Sequence, residues 1–92
     1  MIDTNKIVSV LESKNISYDI DMGTLLFSTN GAIDSLITVS IPLERVNGKI
    51  QCNVTINYSS NMENGMESSF MSNTEEEMLG ILSLTVFDFK KR

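Results

Sequence analysis

The nine residues Ile50-Gln51-Cys52-Asn53-Val54-Thr55-Ile56-Asn57-Tyr58 alternate strictly between apolar and polar side chains. Neighbouring side chains of an extended chain point to opposite faces, so this period of two predicts an antiparallel strand with one face buried and one in water. Asn47-Gly48 stands just before it. Both residues tolerate the positive φ angles of a type I′ turn, so the run in front should fold back on this strand as a hairpin. In that run Ile37, Val39 and Ile41 are expected inward and Thr38 and Ser40 outward. Pro42 has no amide proton to give to a ladder and closes the strand.

Working outward, Asn30-Gly31 separates the run Thr24 to Thr29 from the strand that begins near Ile33. Before it, Ile16, Tyr18 and Ile20 alternate with Ser17, Asp19 and Asp21, and Gly23 supplies a tight connection. Four strands joined by short turns make an antiparallel meander. Helices are expected at both ends. Residues 3 to 14 place Ile7, Val8 and Leu11 on one stripe, with Asp3 or Thr4 as cap and Asn15 suited to a left-handed C-terminal position. Thr74-Glu75-Glu76-Glu77 is a capping box, and its carboxylates oppose the positive end of the helix dipole. Ile81 to Phe89 suits either a helix or a strand. Ser59 to Asn73 reads as a long polar connection, in which Met62, Met66 and Phe70 recur every four residues and would line one side of a transient helix.

The expected fold is therefore α+β, a two-layer α-β-β-β-β-α domain spanning residues 1–92, with a four-stranded antiparallel meander and terminal helices. The helices would cover Ile16, Tyr18, Ile20, Ile37, Val39, Ile41, Val54 and Ile56. The opposite face, carrying Ser17, Asp19, Asp21, Thr38, Ser40, Gln51, Asn53, Thr55 and Asn57, would stay open and polar.

Composition narrows the function. The 92 residues include no histidine, no tryptophan and one cysteine, with 41% hydrophobic and 21% charged residues. A serine or cysteine nucleophile without an imidazole lacks its usual base, and a metal site would have to be built from carboxylates. A non-enzymatic protein without cofactor or metal is expected. Twelve acidic residues face seven basic ones, and three of the basic ones are the terminal Lys90, Lys91 and Arg92. Such a body repels nucleic-acid phosphate and attracts basic partners, so direct nucleic-acid binding is not expected. No run reaches the ~20 apolar residues of a membrane span, and the N-terminus carries no secretory pattern. Cys52 lies at an apolar strand position, so an inert thiol in a reducing, cytoplasmic setting is expected.

Asp19 and Asp21 put two carboxylates on one strand face about 7 Å apart. A divalent cation would need further converging oxygens, so an ordinary solvated strand face is the expected reading. Glu75, Glu76 and Glu77 serve the cap and also offer charge. Met62, Met66 and Phe70 offer flexible, polarizable surface suited to varied partners. The acids Asp19, Asp21, Asp34, Glu63, Glu67 and Glu75 to Glu77 could together imitate the spaced phosphates of a duplex and occupy a basic groove.

Length, acidity and the meander between two helices resemble a known family. The match runs from the helix over Asp3 to Lys14, through the turns at Gly23, Asn30-Gly31 and Asn47-Gly48, to Thr74-Glu75-Glu76-Glu77. On these features the chain resembles the small anti-restriction nuclease proteins of T-even phages. That resemblance implies a DNA-mimicking homodimer that inhibits a modification-dependent restriction complex in the host cytoplasm, its partner a basic DNA-binding enzyme. The alternative is a chaperone or adaptor similar to the small acidic secretion chaperones, which pack helices on an antiparallel sheet and dimerise. A mimic binds through charge and an adaptor through apolar surface, so salt separates them.

Overall fold

The computed structural model describes residues 1–31, 35–58 and 61–87, with the backbone alone over 61–64. In chain order the elements are helix α1 (Asn5–Ser13), strands β1 (Tyr18–Asp21), β2 (Thr24–Asn30), β3 (Ser35–Pro42), β4 (Ile50–Tyr58) and β5 (Asn61–Ser72), and helix α2 (Glu75–Leu82). A π-helical turn, Ser83–Phe87, continues α2. The strands form one antiparallel sheet in the order β1-β2-β3-β4-β5, and the helices lie on one side of it. The two-layer α+β meander with terminal helices is thus the fold.

The sheet has five strands rather than four. The segment from Ser59 to Asn73, expected to be a connection, supplies β5, which pairs with β4 from Ile50↔Ser72 to Ile56↔Met66. A register shift follows between Ile56 and Tyr58. At that irregularity Gly65 lies so close to β4 that a Cβ would meet the Ile56 carbonyl oxygen at 3.0 Å and collide with the Asn57 side chain. Met62, Met66 and Phe70 therefore belong to a strand and not to a helix. A spacing of four residues keeps side chains on one face in either conformation.

Cross-strand register shows which residues share the covered face. Leu25↔Ile41, Phe27↔Val39↔Val54 and Ile37↔Ile56 run across β2, β3 and β4, and Cys52↔Phe70 extends the row to β5. Onto this face α1 delivers Ile7 and Leu11, α2 delivers Met78 and Leu82, and the π turn delivers Val86 and Phe87. Burial of such side chains contributes roughly 1.5–3 kcal/mol each. The Phe87 ring stacks on Phe27 with centroids 6.0 Å apart, and the Lys14 ammonium sits 5.4 Å over the Phe87 ring.

Tyr18 and Ile20 correct the expected core. They pair with Phe27 and Leu25 and so face the helix layer, but Tyr18 is 38% and Ile20 46% exposed. The strand β1 lies at the sheet edge, beyond the reach of the helices. Its face is right and its cover is missing.

The turns follow the residue types. Asn47 and Gly48 have φ of 53° and 77°, the pair of positive angles a type I′ turn requires, and Val46 and Lys49 bridge across them. Met22 and Gly23 make the same pair of angles between β1 and β2. Asn30-Gly31 does not form a two-residue turn. Strand β2 runs through Asn30, and the Gly31 N–H donates to the Ser35 carbonyl at 2.9 Å, so the connection includes 32–34, outside the described residues.

Caps fix the helix entries. The Asp3 carboxylate accepts from the Asn5 N–H at 2.9 Å at the start of α1, and Asn15 is left-handed at φ 58° beyond its end. The Thr74 hydroxyl accepts from the Glu77 N–H at 3.2 Å, and the Glu77 carboxylate accepts from the Asn73 N–H at 3.1 Å. Thr74→Ala removes the first of these bonds and is expected to destabilise the protein by about 1 kcal/mol, read as a lower urea midpoint at unchanged slope. Thr74→Ser should recover most of the loss.

Candidate functional site

Alternation puts the remaining half of every strand on the face that neither described helix covers. One row crosses all five strands as Asp19↔Leu26↔Ser40↔Asn53↔Ser69, and another crosses four as Ser28↔Thr38↔Thr55↔Glu67. Asp21↔Thr24↔Pro42 closes the β1 end, and Gln51↔Met71 lies at the β5 end. The expected polar face is present. It also gains Thr24, Leu26, Ser28 and Asn30 from β2 and Glu67, Ser69 and Met71 from β5.

Short hydroxyl and amide side chains dominate this surface and bond to one another. The Ser28 and Thr38 hydroxyls are 3.3 Å apart, and the Gln51 amide donates to the Asn53 side-chain oxygen at 3.2 Å. Two shallow depressions mark it. One, of about 390 Å³, is lined by Asn53, Thr55, Glu67 and Ser69. The other, of about 500 Å³, is lined by Asp19, Leu26, Ser28 and Thr38 with Tyr18 at its rim. Leu36, 41% exposed, adds an apolar spot.

Asp19, Asp21 and Glu67 are the carboxylates of this face among the described residues, and all are exposed. None has an ion-pair or hydrogen-bond partner there. The described cations lie in the helix layer or at the end of the sheet. Lys6 pairs with Glu76 in the helix layer, and Lys14 covers Phe87. At the end of the sheet Arg45 donates to the Asn73 carbonyl at 2.9 Å and Lys49 to the Asn73 side-chain oxygen at 2.8 Å. Among the described residues carboxylates thus predominate on the uncovered face, with Lys49 tied to Asn73 at its end. Four interstrand spacings of ~4.8 Å put Asp19 and Glu67 roughly 19 Å apart across the sheet.

The other acids do not join them. Glu75 accepts from the Asp3 N–H at 3.0 Å and lies 3.7 Å from the Arg45 guanidinium. The Asp3 amide first, then Glu75's own amide, hold its carboxyl below the usual carboxylate range, and Arg45 adds to this. That contribution to stability is full above the ordinary carboxylate pKa and is lost as acid carries the pH down through the lowered value. Glu76 is paired with Lys6, and Glu77 completes the cap. Glu75 and Glu76 thus tie the start of α2 to the start of α1 while Glu77 caps α2 itself, all on the layer opposite Asp19, Asp21 and Glu67. Asp34 lies outside the described residues, as do Lys90, Lys91 and Arg92 and the side chains of Met62 and Glu63.

Met66 and Phe70 face the helix layer. Met66 is 56% exposed, whereas Phe70 is half-buried against the core and lines a small groove of about 120 Å³ with Val54, Ile56, Ser68 and Thr85. Cys52 is fully buried, and burial pushes its thiol up to about 12, so it is a neutral core side chain at physiological pH. Among the described residues no group of three or more acidic, cysteine or histidine side chains is placed to hold a metal ion, and no helix is long and apolar enough to cross a membrane. No protein-family model, curated protein or solved structure matches the chain.

Proposed function

We propose that this protein is a non-enzymatic binding protein of the cytoplasm whose uncovered sheet face occupies the basic groove of a DNA-handling enzyme, a restriction nuclease or one like it, and so inhibits it. The observation that carries this reading is the charge of the sheet face, on which Asp19, Asp21 and Glu67 are exposed and unpaired among the described residues, while Lys49 at its end is held by the Asn73 side chain. A groove that holds DNA is lined with lysine and arginine to neutralise phosphates, and most of its hydrogen bonds go to phosphate and sugar oxygens. Carboxylates set among Ser28, Thr38, Ser40, Asn53, Thr55 and Ser69 offer such a groove both the charge and the acceptors it is built for. The fold presents them on strands, where backbone pairing holds their spacing.

Salt dependence tests the reading. The chain is immobilised as bait for a bacterial lysate at ~50 mM and ~500 mM salt, between which the screening length differs about threefold. A DNA-binding enzyme captured at the lower salt, released at the higher one and inhibited by the free protein is the expected result. A partner without nucleic-acid function that stays bound through high salt would remove the charge-based reading in favour of an adaptor that holds an amphipathic segment by apolar contact.

A further inference from the structure

The two edges of the sheet are unlike. Strand β1 is four residues long and carries Asp19 and Asp21, and short charged edges resist pairing with another chain. Strand β5 is twelve residues long, spreads its two acids, Glu63 and Glu67, over three times the length of β1, contains no proline, lysine or arginine, and pairs with β4 without interruption from Met66 to Ser72. Its outer row of backbone amides and carbonyls is a template for one more strand. Beside it, on the helix side, lies the apolar groove of Val54, Ile56, Ser68, Phe70 and Thr85, and the exposed Met66 is paired with Ile56 across the ladder.

We infer that β5 pairs antiparallel with β5 of a second copy, centred on Ser68. This register is favoured over its two neighbours by what it sets side by side. With Ser68 opposite Ser68, Met66 of each copy stands opposite Phe70 of the other, so the exposed thioether covers the half-buried ring and reaches the groove. Methionine beside an aromatic ring is a favourable contact. On the other face Glu67 stands opposite Ser69. Centring on Glu67 would instead place like charges directly across the ladder, which is destabilising. Centring on Ser69 would leave Met66 opposite Ser72 and Phe70 opposite Ser68, with no apolar contact across the strands.

The pairing is isologous and closes, as a two-fold dimer requires. Its axis stands perpendicular to the sheet, so both uncovered faces point the same way and join into one surface twice as wide. Both Glu67 carboxylates then lie near the middle. The inference stands on the β5 edge alone and does not depend on what the uncovered face binds.

The full chain, analysed by light scattering during size exclusion at ~100 μM protomer, is expected to give twice the 10.2 kDa chain mass. Met66→Lys should raise the dimer dissociation constant at least ~10-fold while leaving the far-ultraviolet circular dichroism unchanged. Cysteine placement reads the register directly, and holds even if that variant folds poorly. Ser68→Cys puts two thiols on directly opposed residues, within the Cα separation a disulfide needs, and mild oxidation should yield a covalent dimer. Ser69→Cys leaves them on a diagonal ~8 Å apart and should cross-link poorly. The buried Cys52 thiol does not compete. A monomer at every concentration, or a dimer that Ser69→Cys locks as readily as Ser68→Cys, would overturn the inference.

Discussion

Ile37→Ala is expected to destabilise the protein by about 2–5 kcal/mol, a large part of the ~5–15 kcal/mol that holds a domain of this size together. Ile37 is fully buried on the central strand β3, between Thr29 of β2 and Ile56 of β4, on the face that packs against the helix layer. A Cβ built on Gly31 would fall 2.9 Å from the end of its side chain, so strand and connection are both packed on it. Truncation forfeits the transfer free energy of the lost carbons and leaves a cavity that the sheet, fixed by two ladders, cannot close. At ~4–8 °C per kcal/mol the melting temperature should fall by roughly 8 to 40 °C. Ile20→Ala is the matched control, since Ile20 faces the same layer from β1 but is 46% exposed. It should cost under ~1 kcal/mol. Urea unfolding of both variants checks the contrast, and equal losses would mean that the β1 edge is covered as fully as the centre.

That contrast also marks where the sequence stops being readable. The alternation of β4, the turn at Asn47-Gly48 and the capping box at Thr74 are local chemistry, and each forms as its residues dictate. The alternation of Tyr18 and Ile20 gave the right face of β1, yet cover depends on how far the helices reach, which no period records. Strand β5 was hidden for a different reason. Its covered side carries Met66, Ser68, Phe70 and Ser72 and its open side Glu67, Ser69 and Met71, so the contrast in polarity that reveals β4 is absent. An edge strand only partly covered needs no such contrast. Past Leu82 the ambiguity between helix and strand resolved to a π turn, where the Thr85 hydroxyl donates to the Ile81 carbonyl at 2.8 Å while Val86 and Phe87 reach the core. The candidate site was legible in part. Asp19 and Asp21 were placed on the open face by alternation alone, whereas Glu67 joins them only because β5 exists. The capping role of Glu77 was written in the four residues Thr74 to Glu77, but the pairing of Glu75 with Asp3 and Arg45 and of Glu76 with Lys6 required the two helix starts to meet.

Neutralising Asp19, Asp21 and Glu67 together, as Asp19→Asn, Asp21→Asn and Glu67→Gln, is expected to weaken binding to a basic partner by about 10- to 100-fold at ~50 mM salt. The estimate assigns under ~1 kcal/mol to each exposed charge, the scale of solvent-accessible ion pairs, and lets three act on one desolvated face. The same substitutions should leave folding nearly unchanged, because none of the three side chains has an ion pair or hydrogen bond to lose among the described residues. Glu75→Gln with Glu76→Gln removes two charges of the same sign from the helix layer and is the control for net charge alone. It should weaken binding far less, and should instead lower stability by releasing Asp3, Lys6 and Arg45. Titration calorimetry against a captured partner at two salt concentrations separates these effects. If the two sets of substitutions weaken binding equally per charge removed, the partner responds to overall charge and the sheet face loses its special standing. If the triple variant alone loses affinity, and the loss shrinks as salt rises, the carboxylates of β1 and β5 act together across the width of the sheet.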